Sequence, residues 1–391
     1  MPMWMYSSSG ADEIVGGAGL IKYPVAMENP DPQNARPRNP SFGKFMYFRF
    51  IRTLAAASAG FIIACVVGAR LLPAPDLPSV VREKIARLST EGDQYDAIFL
   101  GSSRIQNHVM PALFDDLVAR GGIHMKSFNF GIASMHAPED DYVLDLILAQ
   151  PHARLRWVFV EIDFFRTEMQ PDQAGTLRGQ YWHDLPRIEL LCRRLFLTTE
   201  SGLRRNIRDA FRRWNDFLDH GLLFCKRSAN IGRGAQLIER HLFRADQNPM
   251  NWRVLGDSAD GWTPVIPNES DIAERQSGRL GKILQKRIAN PPARDEADSA
   301  SQSILASLLA KIVKTGAMPV IVIPPRIRHY YLYPAPDIAA RFPTIDLCDP
   351  VRYPELYRED LHVDGTHLNR EGAVVFTREL AGAFLDAARK R

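Results

Sequence analysis

The sequence predicts a doubly wound α/β domain on about five parallel strands, carried behind an N-terminal membrane anchor. Three observations lead there. Short apolar runs alternate with helical patterns on both sides of a long middle segment, the order of a parallel sheet with helices on both faces. The first run, Ala97–Leu100, ends in Gly101-Ser102-Ser103, which puts a hydroxyl at a strand tip. Near the C-terminus, Asp364-Gly365-Thr366-His367-Leu368-Asn369 sets a carboxylate three residues before a histidine at the entrance to a helix.

Residues 1–43 are rich in Gly, Ser, Pro and Asn and have no apolar period, so they read as disordered. Residues 44–72 read as a signal-anchor helix. Thr53 to Ala69 carries no charge and has about the minimum length for a membrane span. Lys44, Arg49 and Arg52 precede it among Phe45, Tyr47, Phe48 and Phe50, a basic and aromatic collar that orients the N-terminus inward. A buried core helix rarely has such a collar. A cleaved signal peptide fits poorly with a leader of about 50 residues and no small-x-small site. A retained anchor puts everything after Leu72 outside the cytoplasm.

Residues 73–92 read as a linker with Pro73, Pro75 and Pro78, then a short amphipathic helix. The α/β domain is expected over 93–165 and 303–391. After Ala97–Leu100 comes a helix with Met110, Leu113, Phe114 and Leu117 that stops at Gly121-Gly122. A second strand ends in Asn129-Phe130-Gly131. A helix follows from about Pro138 to Leu148, and then a third strand, Arg156–Asp163. The alternation breaks over 166–302, which reads as a helical insertion or subdomain with a polar stretch at Asn290–Ser301. It resumes with a helix at Ser303–Thr315 and strands at Pro319–Ile323 and Thr344–Leu347. The last helix has Asn369 as N-cap, with Ala373, Phe376, Leu380 and Phe384 along one face.

Forty-nine basic against 45 acidic residues leave a net charge of +4, too little to argue for nucleic acid. Cys65, Cys192, Cys225 and Cys348 lack metal-ligand spacing. A Cys192–Cys225 disulfide and unpaired buried thiols both fit. Leu203–Trp214 is a basic amphipathic helix, read first as a solvated face over an apolar stripe. Contact with anionic lipid or an acidic polysaccharide is the functional alternative. Arg326, Arg328, His329, Tyr330 and Tyr331 follow the fourth strand, where a sugar would suit them.

A histidine beside an aspartate is a general base only if it has a proton to remove. Ser103 is the candidate nucleophile, His367 its base and Asp364 the acid that orients the imidazole. Ser102 is the fallback nucleophile, since neighbours on a strand face opposite ways. Asp364 in a turn with its own backbone is the competing reading. His362 is expected in solvent rather than in a metal pair.

The same residues carry a resemblance. Gly101-Ser102-Ser103, Asn129-Phe130-Gly131 and the Asp364–Asn369 stretch resemble the SGNH (GDSL-type) hydrolase superfamily. They look most like its membrane-attached branch, which includes alginate O-acetylation proteins and the D-alanine transfer protein of lipoteichoic acid synthesis. The resemblance covers 93–165 and 303–391. It implies Ser103 as nucleophile and His367 with Asp364 as base and acid. The backbone N–H groups of Ser103 and Gly131 would form an oxyanion hole. It implies an esterase or O-acyltransferase without cofactor or metal, facing the periplasm. Its partners would be an acylated carbohydrate substrate, membrane lipid through the anchor, and other membrane polysaccharide-synthesis proteins. The chain departs from the family in two places. Ser102 replaces an aspartate, and Val160-Glu161-Ile162-Asp163 stands where the family has Gly-x-Asn-Asp. A carboxylate there repels a developing oxyanion unless it points away or is protonated. A non-catalytic binding or assembly protein on the same fold is the alternative.

Overall fold

A computed structural model describes residues 40–71, 77–162, 173, 176–193, 195, 207–229, 252–290, 294–296, 299–325 and 331–390. Its sheet is built from β1 (Ala97–Gly101), β2 (Ser127–Gly131), β3 (Trp157–Glu161), β5 (Met318–Ile323) and β7 (Thr344–Asp346). All five strands are parallel, in the order β2-β1-β3-β5-β7. A separate two-stranded sheet pairs β4 (Arg294–Glu296) with β6 (Tyr331–Tyr333). Sequence periodicity did not reveal this pair, because each strand is three residues long and largely polar or aromatic.

The chain runs outward from β1 to β2, then returns to β3 on the other side of β1. The strand order therefore reverses between β1 and β3. Crevices at the carboxyl ends of such strands are where doubly wound sheets hold ligands. The strands are largely apolar because both faces are covered. Ile98, Leu100, Val158, Val160, Ile321 and Ile323 point to one face. Ala97, Phe99, Phe159, Val320, Val322 and Ile345 point to the other, the period-two alternation of a pleated strand.

On the first face lie α2 (Ser79–Glu91), α5 (Glu139–Leu148) and α12 (Ser299–Lys314). On the second lie α3 (Ser103–His108), α4 (Pro111–Arg120), α11 (Arg279–Ala289) and α14 (Arg370–Arg389). There Phe99 packs on Phe159 with ring centroids 4.4 Å apart, and Phe384 meets Phe159 at 5.1 Å. Phe376, Leu380 and Phe384 of α14 are fully buried, on the face their spacing predicts.

Two expected boundaries move. The domain begins at α2 rather than at Asp93, because Val81, Lys84 and Leu88 are buried in it. Lys84 reaches under the tip of β2, and its Nζ donates to the carbonyls of Asn129 (2.9 Å), Gly131 (2.8 Å) and Gly261 (2.9 Å). The middle segment also belongs to the main cores. Tyr181, Trp182 and Leu255 join the first core, and Leu280 and Leu284 of α11 join the second. Asp260 covers the outer edge of β2, its carbonyl accepting the N–H of Asn129 at 2.8 Å. An exposed strand edge is thereby closed.

Helix α1 spans Pro40–Leu71, so it starts four residues before the expected anchor; the rest of the segment read as disordered lies outside the described residues. Within it, Tyr47–Cys65 (19 residues) is long and apolar enough to cross a membrane, and Phe48, Phe61, Ile62 and Ile63 are exposed. Helix α8 (Ile207–Ser228) reverses the expected packing. Phe211, Trp214, Leu218 and Leu222 lie outward, while His220 and Leu223 are buried. Residues 203–206 lie outside the described residues. Cys192 and Cys225 are free thiols, and Cys225 is exposed, so the disulfide alternative is set aside.

Lys84 tests how tightly α2 belongs to the domain. Lys84→Met leaves three buried carbonyls without their donor. It should lower the unfolding free energy of the detergent-solubilised protein by more than about 2 kcal/mol, read from urea titrations.

Candidate active site

The site is assembled where β1 ends. Gly101 has no room for a side chain, since a Cβ there would collide with Ile105 and Glu161. The next residue turns the strand into a helix. Ser102 keeps extended backbone (φ −79°) as N-cap of α3, and its hydroxyl oxygen accepts the N–H of Arg104 at 3.3 Å. Ser102 is therefore buried in a capping role, 4% exposed. Ser103 becomes the first residue of α3. Its backbone N–H belongs to the helix start and has no acceptor among the described residues.

The partner loop folds on itself. Asp364 Oδ1 accepts the backbone N–H of Thr366 at 2.5 Å and of His367 at 2.8 Å, together with the Thr366 hydroxyl at 2.8 Å. An aspartate holding its own downstream backbone in this way makes a tight turn. The base of the loop is closed where Val363 N donates to His367 O at 2.9 Å and His362 bridges Leu368 in antiparallel fashion. Asn369 then caps α14, accepting the N–H of Gly372 at 2.9 Å.

The second oxygen of Asp364 faces the ring. His367 Nδ1 lies 2.7 Å from Asp364 Oδ2, and His367 Nε2 lies 2.8 Å from Ser103 Oγ. The three residues singled out in the sequence thus form one chain of hydrogen bonds, although Ser103 and His367 are 264 positions apart. The two readings of Asp364 are compatible: one carboxylate oxygen makes the turn and the other orients the imidazole. With the proton on Nδ1 facing Asp364, the lone pair of Nε2 is aimed at the serine hydroxyl. The side chains of His367 and Asp364 are 24% and 19% exposed, so the ring is reachable from solvent. Burial pushes the Asp364 carboxyl upward, but hydrogen bonds from His367 and Thr366 and the charge of a protonated His367 outweigh it. The net result lies well below the usual carboxylate range.

In the stretch set against Gly-x-Asn-Asp, Ile162 falls at the asparagine and Glu161 just before it, and the Glu161 carboxylate is occupied. Oε1 lies 2.7 Å from Arg104 Nε and 2.6 Å from Arg104 Nη2, and Oε2 accepts the Ser102 N–H at 2.6 Å. The charge expected to repel an oxyanion is paired and turned to the N-cap. Asp163 lies outside the described residues.

The expectation for Gly131 needs correcting. Its N–H donates to Asn129 Oδ1 at 2.8 Å and is not directed to a ligand. A glycine is required there for space, because a Cβ would collide with the backbone of Gln106 in α3. His362 is also not in solvent. It is 2% exposed, with Nε2 2.9 Å from the Leu356 carbonyl. Among the described residues no group of three metal-ligating side chains is present. Of the aromatic and basic cluster after β5, residues 326–330 lie outside the described residues, and Tyr331 begins β6.

Sequence reasoning missed three residues. Asn129 is fully buried and donates to the Ile105 and Val109 carbonyls, each at 2.7 Å, so it holds the far end of α3. An amide between Phe128 and Phe130 in an apolar strand was the available signal, since a buried polar group must find partners. Arg104, the counter-ion of Glu161, and His108 at the end of α3 gave no such signal. Trp262 and Thr263 of the middle segment bond to α3. Trp262 Nε1 donates to Asn107 O at 2.8 Å, and Asn107 Nδ2 to Thr263 O at 2.8 Å.

Comparison with family models, curated proteins and solved structures finds no match. The lowered pKa of Asp364 has a measurable consequence. A carboxylate more acidic in the folded than in the unfolded chain adds stability above its unfolded value, near pH 4, and that stability is lost as pH falls toward the folded value. Urea midpoints between pH 7 and pH 3 should fall less steeply in Asp364→Asn than in the unaltered protein.

Proposed function

We propose that this chain is a membrane-anchored serine esterase or O-acyltransferase of the SGNH type, acting on acyl esters of an envelope or exported polysaccharide. The observation that carries the reading is the hydrogen-bonded series Ser103 Oγ, His367 Nε2, His367 Nδ1 and Asp364 Oδ2. Its position at the carboxyl end of β1, beside the reversal of strand order, supports it.

In this reading Ser103 Oγ attacks an acyl carbonyl while His367 Nε2 takes the hydroxyl proton. The Ser103 N–H faces the negative oxygen that forms. The tetrahedral intermediate collapses, the ester C–O bond breaks, and His367 returns the proton to the departing sugar oxygen. The acyl-serine is then attacked by water or by another sugar hydroxyl, which gives its proton to His367. Collapse restores Ser103 and releases the acid or the new ester. Asp364 stays ionised and holds the ring. The chemistry uses no metal or cofactor, and it involves no nucleic acid.

The collar of Lys44, Arg49 and Arg52 before the apolar run supports an N-in anchor, with the α/β domain in the periplasm. Contact with other membrane proteins of polysaccharide synthesis follows from the same reading. One observation favours the second reading, a non-catalytic binding or assembly protein on this fold. The Gly131 N–H is taken by Asn129, which leaves the Ser103 N–H as the oxyanion donor in view.

Two measurements decide. Ser103→Ala and His367→Ala should each reduce turnover of acetyl esters on the order of 10⁴-fold, with the double variant little worse than either. Asp364→Asn should do less damage, and Ser102→Ala should keep most activity. A fluorophosphonate probe should label the unaltered protein at Ser103. Absence of both labelling and turnover would leave the binding reading. For topology, a reporter that works only outside the cytoplasm should be active when fused after Arg391, and a stable but inactive fusion would refute the periplasmic placement.

A further inference from the structure

Helix α3 touches the histidine loop at both of its ends. At its first residue, Ser103 Oγ lies 2.8 Å from His367 Nε2. At its last, the Leu368 N–H donates to His108 Nε2 at 3.0 Å. A nitrogen that accepts from an amide carries no proton, so the His108 proton sits on Nδ1. That Nδ1 is buried without a hydrogen-bond partner among the described residues. His108 is 1% exposed, its ring edge-on to Phe376 at 5.5 Å and to His367 at 6.4 Å. Thr377 pins the same place from α14. Its hydroxyl donates to His108 O at 3.0 Å and accepts the Met110 N–H at 3.1 Å.

As packing alone, an imidazole is a poor choice here, because it buries an N–H that a phenylalanine would not have. What it adds is an acceptor at fixed reach on a rigid ring. Leu368 follows His367 directly, so fixing its amide fixes the backbone from which the His367 ring projects. The two ends of α3 therefore act as the two jaws of a caliper on one loop.

We propose that His108 is a positioning residue: an uncharged acceptor that holds the Leu368 amide and so sets the reach of His367 toward Ser103. Its burial, and secondly the nearby His367, keep its pKa well below the usual imidazole value. It therefore remains an acceptor when His367 is protonated during turnover. The kinetic part of this assignment rests on the esterase reading, and the geometric part does not.

The test uses the full chain in detergent with ¹⁵N-labelled histidine. The Nδ1 proton of His367, held against Asp364, should give a far-downfield resonance in the unaltered protein, identified by its loss in His367→Ala. His108→Ala should broaden or abolish that resonance. So should His108→Asn, which keeps an amide but falls short of Leu368. His108→Gln, whose Oε1 lies at the reach of Nε2, should restore it. In parallel, kcat for acetyl esters should fall on the order of 10- to 100-fold in the Ala and Asn variants, with KM little changed, and should recover in Gln. A folded Asn or Ala variant that keeps the resonance would overturn the proposal, as would a folded Gln variant that loses it. If no variant and no unaltered protein turns over esters, the esterase reading fails, and the resonance still decides the role of His108.

Discussion

Helix α3 lies across the tips of β1 and β2 at a distance that leaves no space for a Cβ on Gly101 or Gly131. The rest of the site follows from that close approach. It lets Ser102 cap the helix while its own N–H is taken by Glu161, and it leaves Ser103 as the first residue with a free direction outward. It also forces polar groups into the interior. Arg104 and Glu161 form a buried ion pair beneath the turn, and Asn129 reaches from β2 to the carbonyls that end α3. Such a pair is weak evidence of stability by itself, but losing one partner strands the other charge. The turn is therefore held by groups that are costly to remove.

A second layer of support comes from outside the alternating βα units. The Lys84 ammonium gathers three carbonyls, two from β2 and one from Gly261. Gly261 has φ +88°, and a side chain there would collide with the Asn129 carbonyl, so this contact depends on glycine twice over. The result ties α2, the tip of β2 and the middle segment to one point behind α3. The middle segment is consequently bonded to α3 itself. Thr263 accepts from Gln106 Nε2 at 3.0 Å through its hydroxyl, and Trp262 lies beneath the Arg370 guanidinium at 5.7 Å.

The histidine loop shows how few residues can settle a geometry. Asp364 divides its two oxygens between the turn and the imidazole. His362 is buried at the base of the loop and bonded to the Leu356 carbonyl, so this second histidine stands near without joining the hydrogen-bonded series of Asp364, His367 and Ser103. Helix α8 turns Phe211, Trp214, Leu218 and Leu222 outward and buries Leu223, so much of its apolar spacing describes a surface.

Local sequence determined a good deal. The five runs read as strands are the five strands of the sheet, because a strand buried on both faces is mostly apolar. Asn369 as N-cap and the buried face of α14 were legible from short-range spacing, and so was an apolar N-terminal helix of membrane-spanning length. Ser103, His367 and Asp364 were legible as residue types at a strand tip and a helix entrance. What the sequence left open depends on groups far apart in the chain. Whether Asp364 served the turn or the ring required the position of both its oxygens. The engagement of the Gly131 N–H, the pairing of Glu161 with Arg104 and the burial of His362 are contacts that no local period encodes. The middle segment looked like an insertion because its own pattern is helical and charged; only packing decided that Leu280, Leu284 and Gly261 belong to the same cores and supports as the sheet. Periodicity reports which side of an element is apolar, and only tertiary structure decides what that side meets.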